Sequence, residues 1–383
     1  MVMIGVLPLI VEVRRRIATS RGVRHLDYDD AMPAAQDIDA LARALPKVLL
    51  HDHLDGGLRP ETLLELLRER GLQAPAADVG ALAAWFDQRA HAGSLDEYLR
   101  GFVLTVAAMA TLPALQRVAF EAAEDVRADG CVLAEFRIAP TLFEPHGLPV
   151  EAAIEAMLQG LQRSVLPTGL ILCAMRERSV AEAERVAQLA RRYLGQGVIG
   201  FDLAGAELGH PPSEHASAIR IARDGGVPLT LHAGEADAAS RVIEAAHLGA
   251  RRIGHGVRLA DALRSNDGAV LIEEARQRDL HLELCPSSNV HTGAVASIAS
   301  HPITALRRAR LSVSFHTDNR LMSRSTPSQE AAALLRETPL TLGDLAAMGM
   351  QAARHSFLGA AARAQAQAAI RAFANSHALP LND

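Results

Sequence analysis

Residues 170–201, LILCAMRERSVAEAERVAQLARRYLGQGVIGF, hold the pattern that decides the fold. The stretch opens on the apolar run Leu170-Ile171-Leu172 and closes on Val198-Ile199-Gly200-Phe201. Between them, SVAEAERVAQLARRYL (179–194) places apolar residues at i, i+3, i+4 and i+7 and charges elsewhere. That spacing marks a helix covering one side of a sheet. A β-prone run, a helix and another β-prone run predict two parallel strands joined by a crossover helix.

The unit recurs in both directions. Upstream lie Val48-Leu49-Leu50 and Cys131-Val132-Leu133-Ala134. Downstream lie Leu229-Thr230-Leu231, Arg252-Ile253-Gly254, Leu280-His281-Leu282-Glu283-Leu284 and Leu311-Ser312-Val313-Ser314. Helical spacing returns at 114–128 and 267–278. About eight strands, most followed by a helix, predict an α/β chain whose parallel sheet closes into a (β/α)8 TIM-type barrel. An open doubly wound sheet is the alternative. It ordinarily shows a Gly-rich phosphate turn after its first strand, and HDHLDGGL (51–58) is not one.

The gap between the first two runs, 58–128, is too long for one crossover helix. Extra helices are therefore expected after strand 1, on the barrel face where active sites form, as a candidate lid. Tyr98, Leu99 and Phe102 share one helical face there and are the candidate lid residues, with plain core packing as the alternative. Trp85-Phe86 reads as core. Residues 1–35 read as an N-terminal extension with some helix, and 36–383 as the barrel domain. The start, MVMIGVLPLIVE, resembles a signal core, but Arg14, Arg15 and Arg16 follow it rather than precede it.

Composition narrows the functional classes. The chain has 383 residues, 49% hydrophobic, with a net charge of -5, which gives no electrostatic footprint for nucleic acid or an anionic membrane. One Trp and three Tyr argue against a base-stacking surface. Cys131, Cys173 and Cys285 match no disulfide framework and no thiolate zinc site. The expectation is a cytoplasmic enzyme with a small-molecule substrate and neither nucleic-acid nor membrane partners.

Ligand-type residues fall just past the predicted strands. His51 and His53 end the first run, His232 and Glu235 the fifth, His255 the sixth and Asp318 the eighth. Residues at strand C-termini converge in this architecture. The two-residue spacing of His51 and His53 puts both imidazoles on one face. Imidazoles with a carboxylate suit zinc or a similar divalent ion, and leave room for a bound water. Each feature alone has a plainer reading: His232 as a core histidine, Asp318 as a helix cap. His25, His91, His146, His215, His291 and His301 are assigned to the surface or to loops.

Six strings in order resemble the adenosine deaminase family: HDHLDGGLRPETLLEL (51–66), GFDLAGAE (200–207), LHAGE (231–235), RIGHGVRL (252–259), CPSSN (285–289) and SFHTDNRLMS (314–323). The resemblance implies one Zn²⁺ per subunit held by His51, His53, His232 and Asp318. It implies Glu235 as the acid that protonates N1 of a purine, and His255 as base or electrostatic anchor for the attacking water. Gly205 would offer its backbone N–H to N3. Asn319 would face N7, where many members carry Asp. Asp55 would reach a ribose hydroxyl, whereas relatives acting on the free base tend to have Glu.

The implied reaction is hydrolysis of adenosine or 2′-deoxyadenosine to the inosine counterpart plus ammonia. Another 6-aminopurine remains the alternative. Gly56-Gly57 leaves space for a 5′-modified adenosine of the aminodeoxyfutalosine type, and adenine is the smaller option. AMP fits less well, because no cluster of Arg and Lys ends the strands. A barrel hydrolase acting on an ester, lactam or phosphoester, and a non-catalytic barrel, are the other classes. His316 stands where relatives commonly have Asn and is not assigned as a ligand. Oligomeric state and native metal stay open.

Overall fold

The computed structural model describes residues 35–90, 95–265 and 268–381. The N-terminal extension, His25 and His91 lie outside them. Eight parallel strands appear, one at each predicted run: β1 Lys47–Leu49, β2 Cys131–Ile138, β3 Thr168–Met175, β4 Val198–Ala204, β5 Thr230–Ala233, β6 Arg252–His255, β7 His281–Leu284 and β8 Ser312–Phe315. They pair in sequence order as β1 to β4 and β5 to β8.

Two seams close the barrel. At the first, the Phe201 N–H donates to the Pro228 carbonyl at 3.0 Å, joining β4 to β5. At the second, the Asp318 N–H donates to the His51 carbonyl at 3.0 Å and the His53 N–H to the Asp318 carbonyl at 2.7 Å. The barrel thus closes through the backbone of its own ligand-type residues. Just below, His316 is fully buried, and its Nδ1 accepts the Leu50 N–H at 3.1 Å. Its Nε2 meets Ser314 Oγ at 2.6 Å. His316 stitches β8 to β1 in place of a ladder carbonyl and points away from the ligand cluster.

The crossover helices follow the apolar spacing of the sequence. Val180–Tyr193, inside the opening stretch, buries Ala183, Val186, Ala187, Leu189 and Ala190. Its N-cap Ser179 accepts the Glu182 N–H, and Arg191 and Arg192 sit in its last turn, both favourable to the helix dipole. Between β1 and β2 lie the helices Pro60–Glu69, Val79–Ala90, Leu95–Met109 and Leu112–Ala128. The last is the crossover and the first three are the insertion. Leu95–Met109 packs against the short turn Leu54–Gly56 that follows β1, so the insertion borders the strand C-termini. Phe86 is buried and Trp85 packs partly buried on the same core, as expected. Among the described residues no single helix is long and apolar enough to cross a membrane.

The barrel interior departs from an apolar filling. Glu135, Arg137, Asp202, Arg252 and Glu283 are fully buried. Arg137 bridges Asp202 at 2.8 Å and Glu283 at 2.6 Å, and Arg252 bridges Glu283 and Glu135, both at 2.6 Å. Each charge is paired, as burial demands. The ladder runs up the barrel and ends beneath the histidines.

Candidate active site

His51, His53, His232 and Asp318 come together at the C-terminal mouth, with one ligand atom from each within 4.8 Å of all the others. His51 Nε2 and His53 Nε2 lie 3.2 and 3.4 Å from Asp318 Oδ1, and His53 Nε2 lies 3.3 Å from His232 Nε2. Bonds of ~2.0–2.1 Å at tetrahedral angles space zinc ligands by ~3.3–3.4 Å, so these separations suit such an ion. His51 Nε2 and Asp318 Oδ1 are buried without a hydrogen-bond partner. Groups left this way call for an occupant.

The charge ladder orients two of these rings. His51 Nδ1 meets Glu283 at 3.0 Å and His232 Nδ1 meets Asp202 at 2.9 Å. A proton held on Nδ1 leaves the Nε2 lone pair for a cation. Burial would raise Asp202, but His232 and Arg137 outweigh it and hold its carboxyl below the usual range. Burial keeps His53 and His232 below the ordinary histidine value, in the neutral form a ligand needs. Asp318 and His255 take left-handed backbone angles, φ 60° and 63°. That strain, about 1–3 kcal/mol at each non-glycine residue, is typical of residues held for function.

Glu235 sits beside the cluster on the loop after β5. The backbone N–H groups of Gly234, Glu235, Ala236 and Asp237 all donate to the Glu207 carboxylate, which fixes that loop. Burial, with Asp318 adding to it, pushes the Glu235 carboxyl up to about 7. Its Oε1 accepts from Thr292 Oγ1 at 2.9 Å, and its Oε2 lies 3.5 Å from His255 Nε2. Burial holds His255 well below its ordinary value, so the ring is neutral.

Asp55, on the turn after β1, is buried with Oδ1 unpartnered, and burial raises its carboxyl to about 7. Gly205 follows β4 at φ 95°, and a Cβ there would overlap the Glu177 carboxylate. A Cβ on Gly56 would likewise overlap the Asn319 amide. The missing side chain at Gly56 therefore lets Asn319 sit against the turn that carries Asp55.

The sequence profile described as Adenosine deaminase matches residues 46–372, most of the chain. The chain belongs to the adenosine deaminase family. An adenosine deaminase of Mycobacterium ulcerans is 44% identical over 337 residues, spanning 84% of this chain and 92% of that protein. Among solved structures, an adenine deaminase from Arthrobacter aurescens superposes with a TM-score of 0.77 at 23% identity, covering 86% of this chain and 99% of its own. A zinc-bound amidohydrolase from Burkholderia ambifaria gives 0.78 at 24% identity, covering 92% and 98%. These likenesses show the family's barrel fold.

Several residues around this adenosine deaminase site escaped the sequence reading. Arg137, Asp202 and Glu283 orient the ligands, Glu207 holds the Glu235 loop, and Asn289 and Thr292 touch Glu235. A signal existed for some of them. Glu135 and Arg137 in β2, and His281 and Glu283 in β7, stand two apart within apolar runs, which places each pair on one strand face.

Other assignments change. His215 and His291 are buried in helical turns, not surface or loop residues; His301 lies in a loop as expected, though buried, and His146 is exposed. His215 is held by a contact to the Arg176 carbonyl at 2.8 Å, and His301 lies 3.3 Å from Asn289. Of the lid candidates, Phe102 packs partly buried on the main core. The side chains of Tyr98 and Leu99 lie outside the described residues.

Proposed function

We propose that this enzyme hydrolyses adenosine and 2′-deoxyadenosine to inosine and 2′-deoxyinosine plus ammonia, using zinc held by His51, His53, His232 and Asp318. The observation that carries the reading is the pairing of that ligand cluster with Glu235, a buried carboxyl raised to about 7. Bound zinc supplies a water activated at neutral pH. Glu235, still protonated near neutrality, passes its proton to N1 as the water oxygen adds to C6. His255 steadies that oxygen. The Gly205 N–H serves N3, where the missing Cβ permits close approach. Asn319 donates to N7 with an amide that needs no protonation.

Asp55 favours a nucleoside over the free base: its buried, unpartnered Oδ1 fits a ribose hydroxyl. The Mycobacterium ulcerans relative, named for adenosine, supports the same choice. The test follows loss of adenosine absorbance with metal-analysed protein, beside deoxyadenosine, adenine, AMP and a 5′-extended nucleoside. Glu235→Ala serves as control. Fast turnover of the two nucleosides that needs both zinc and Glu235 is expected. Adenine or AMP as the best substrate would overturn the specificity, and no turnover of any 6-aminopurine by zinc-loaded protein would overturn the reaction.

A further inference from the structure

Asn289, in the short helix Pro286–His291, touches both Glu235 and His255. Its Nδ2 lies 3.1 Å from His255 Nδ1 and 3.4 Å from Glu235 Oε1, and its Oδ1 lies 3.3 Å from His301 Nε2. The direction of this amide follows from its neighbours. The backbone N–H of Ile303 donates to His301 Nδ1 at 3.2 Å, so the neutral His301 ring carries its hydrogen on Nε2. That Nε2–H requires an acceptor, which makes the facing atom of Asn289 its carbonyl oxygen. The amide NH₂ then points at His255 and Glu235. His255 Nδ1 must accept, which leaves the ring hydrogen on Nε2, the nitrogen 3.5 Å from Glu235 Oε2. Glu235 Oε1 already accepts from Thr292 and Asn289, which leaves Oε2 to carry the acid proton.

We infer that Asn289 and His301 are positioning residues that assign the protons of Glu235 and His255, beginning from the Ile303 backbone N–H. Glu235 is presented with its proton on Oε2 and His255 with its hydrogen on Nε2. The inference rests on the proposed reaction and resolves a choice within it. With Nε2 already protonated, His255 holds the attacking oxygen by donating a hydrogen bond, and the water's proton would pass to solvent before attack, the pKa of that water being lowered toward about 7 by bound zinc.

The test uses zinc-loaded protein labelled with ¹⁵N-histidine, the His255 signals being those missing in His255→Gln. The wild-type spectrum should show His255 protonated at Nε2; protonation at Nδ1 would overturn the inference without any variant. Asn289→Asp keeps an acceptor for His301 but sets an acceptor-only oxygen against His255 Nδ1, so the hydrogen should move to Nδ1. For that variant kcat should fall about 100-fold or more, as expected for a misplaced catalytic proton, with zinc content unchanged. KM should stay within about threefold, because no substrate contact is removed. His301→Ala should lower kcat about tenfold by freeing the amide to turn, and His301→Gln, which restores a donor, should recover most of it. Wild-type kcat and tautomer in Asn289→Asp would sink the assignment. Absence of wild-type turnover would instead strike the proposed reaction, and the tautomer spectrum would still be readable.

Discussion

Glu235 shows how much of the site depends on the surroundings of single side chains. A carboxyl is ordinarily ionised at neutral pH; here burial and the nearby Asp318 raise it to about 7. An acid works only below its pKa, so kcat/KM should fall about tenfold per pH unit above that value. A pH–rate profile checks this, and a flat profile to pH 9 would exclude Glu235 as the acid. At Asn319, the proposed contact to N7 rests on a donor. Asn319→Asp, which can donate once protonated, should keep measurable turnover, whereas Asn319→Leu should lose far more. Equal losses in steady-state assays would refute that role. Asp318 was legible in the sequence because it falls just past a recognisable strand, and Asn319 because it stands in a string, SFHTDNRLMS, that resembles the family's. Asn289 was not: its role depends on His301, twelve residues away, and on which way an amide points.

Elements deliver these residues, and two of them invite measurement. The loop 234–237 is tied to one carboxylate, Glu207, by four backbone N–H groups. Glu207→Gln replaces one acceptor oxygen with a donor facing those groups. It should lower kcat while leaving zinc content intact, a split that metal analysis and kinetics together reveal. Leu342–His355, which packs on β8 and β1, begins with a capping box between Thr341 and Asp344. Thr341→Ala should cost about 0.5–2 kcal/mol in denaturant unfolding with turnover unchanged. The helices were readable from periodicity because each has one face in the core, and the strands as short apolar runs because both their faces are buried. The insertion after β1 was readable only as a length. How Leu95–Met109 lies against the Leu54–Gly56 turn depends on packing that no local pattern encodes.

At the scale of the whole molecule, the buried ladder couples the barrel to its site. Arg137 neutralises Asp202 and Glu283, the carboxylates that orient His232 and His51. Arg137→Met leaves Asp202 without a guanidinium partner and Glu283 with Arg252 alone, and should cost about 3–5 kcal/mol of stability. Zinc affinity should fall as well, read by competition with a chelator; unchanged affinity would separate the ladder from the metal site. Stripping the metal should lower the melting temperature and readdition restore it, since a ligand that binds only the folded state stabilises it.

By itself, the sequence determined the alternation of strands and helices, and with it the barrel. It also determined which His, Asp and Glu end strands, because both patterns are local: period 3.6, period two and position in a run. Only the tertiary structure decided the rest. His316 became a seam residue, His215, His291 and His301 moved inside, and five charges came to fill the barrel. Those outcomes depend on which strands become neighbours when the sheet closes, and a buried charge is tolerable only beside its partner.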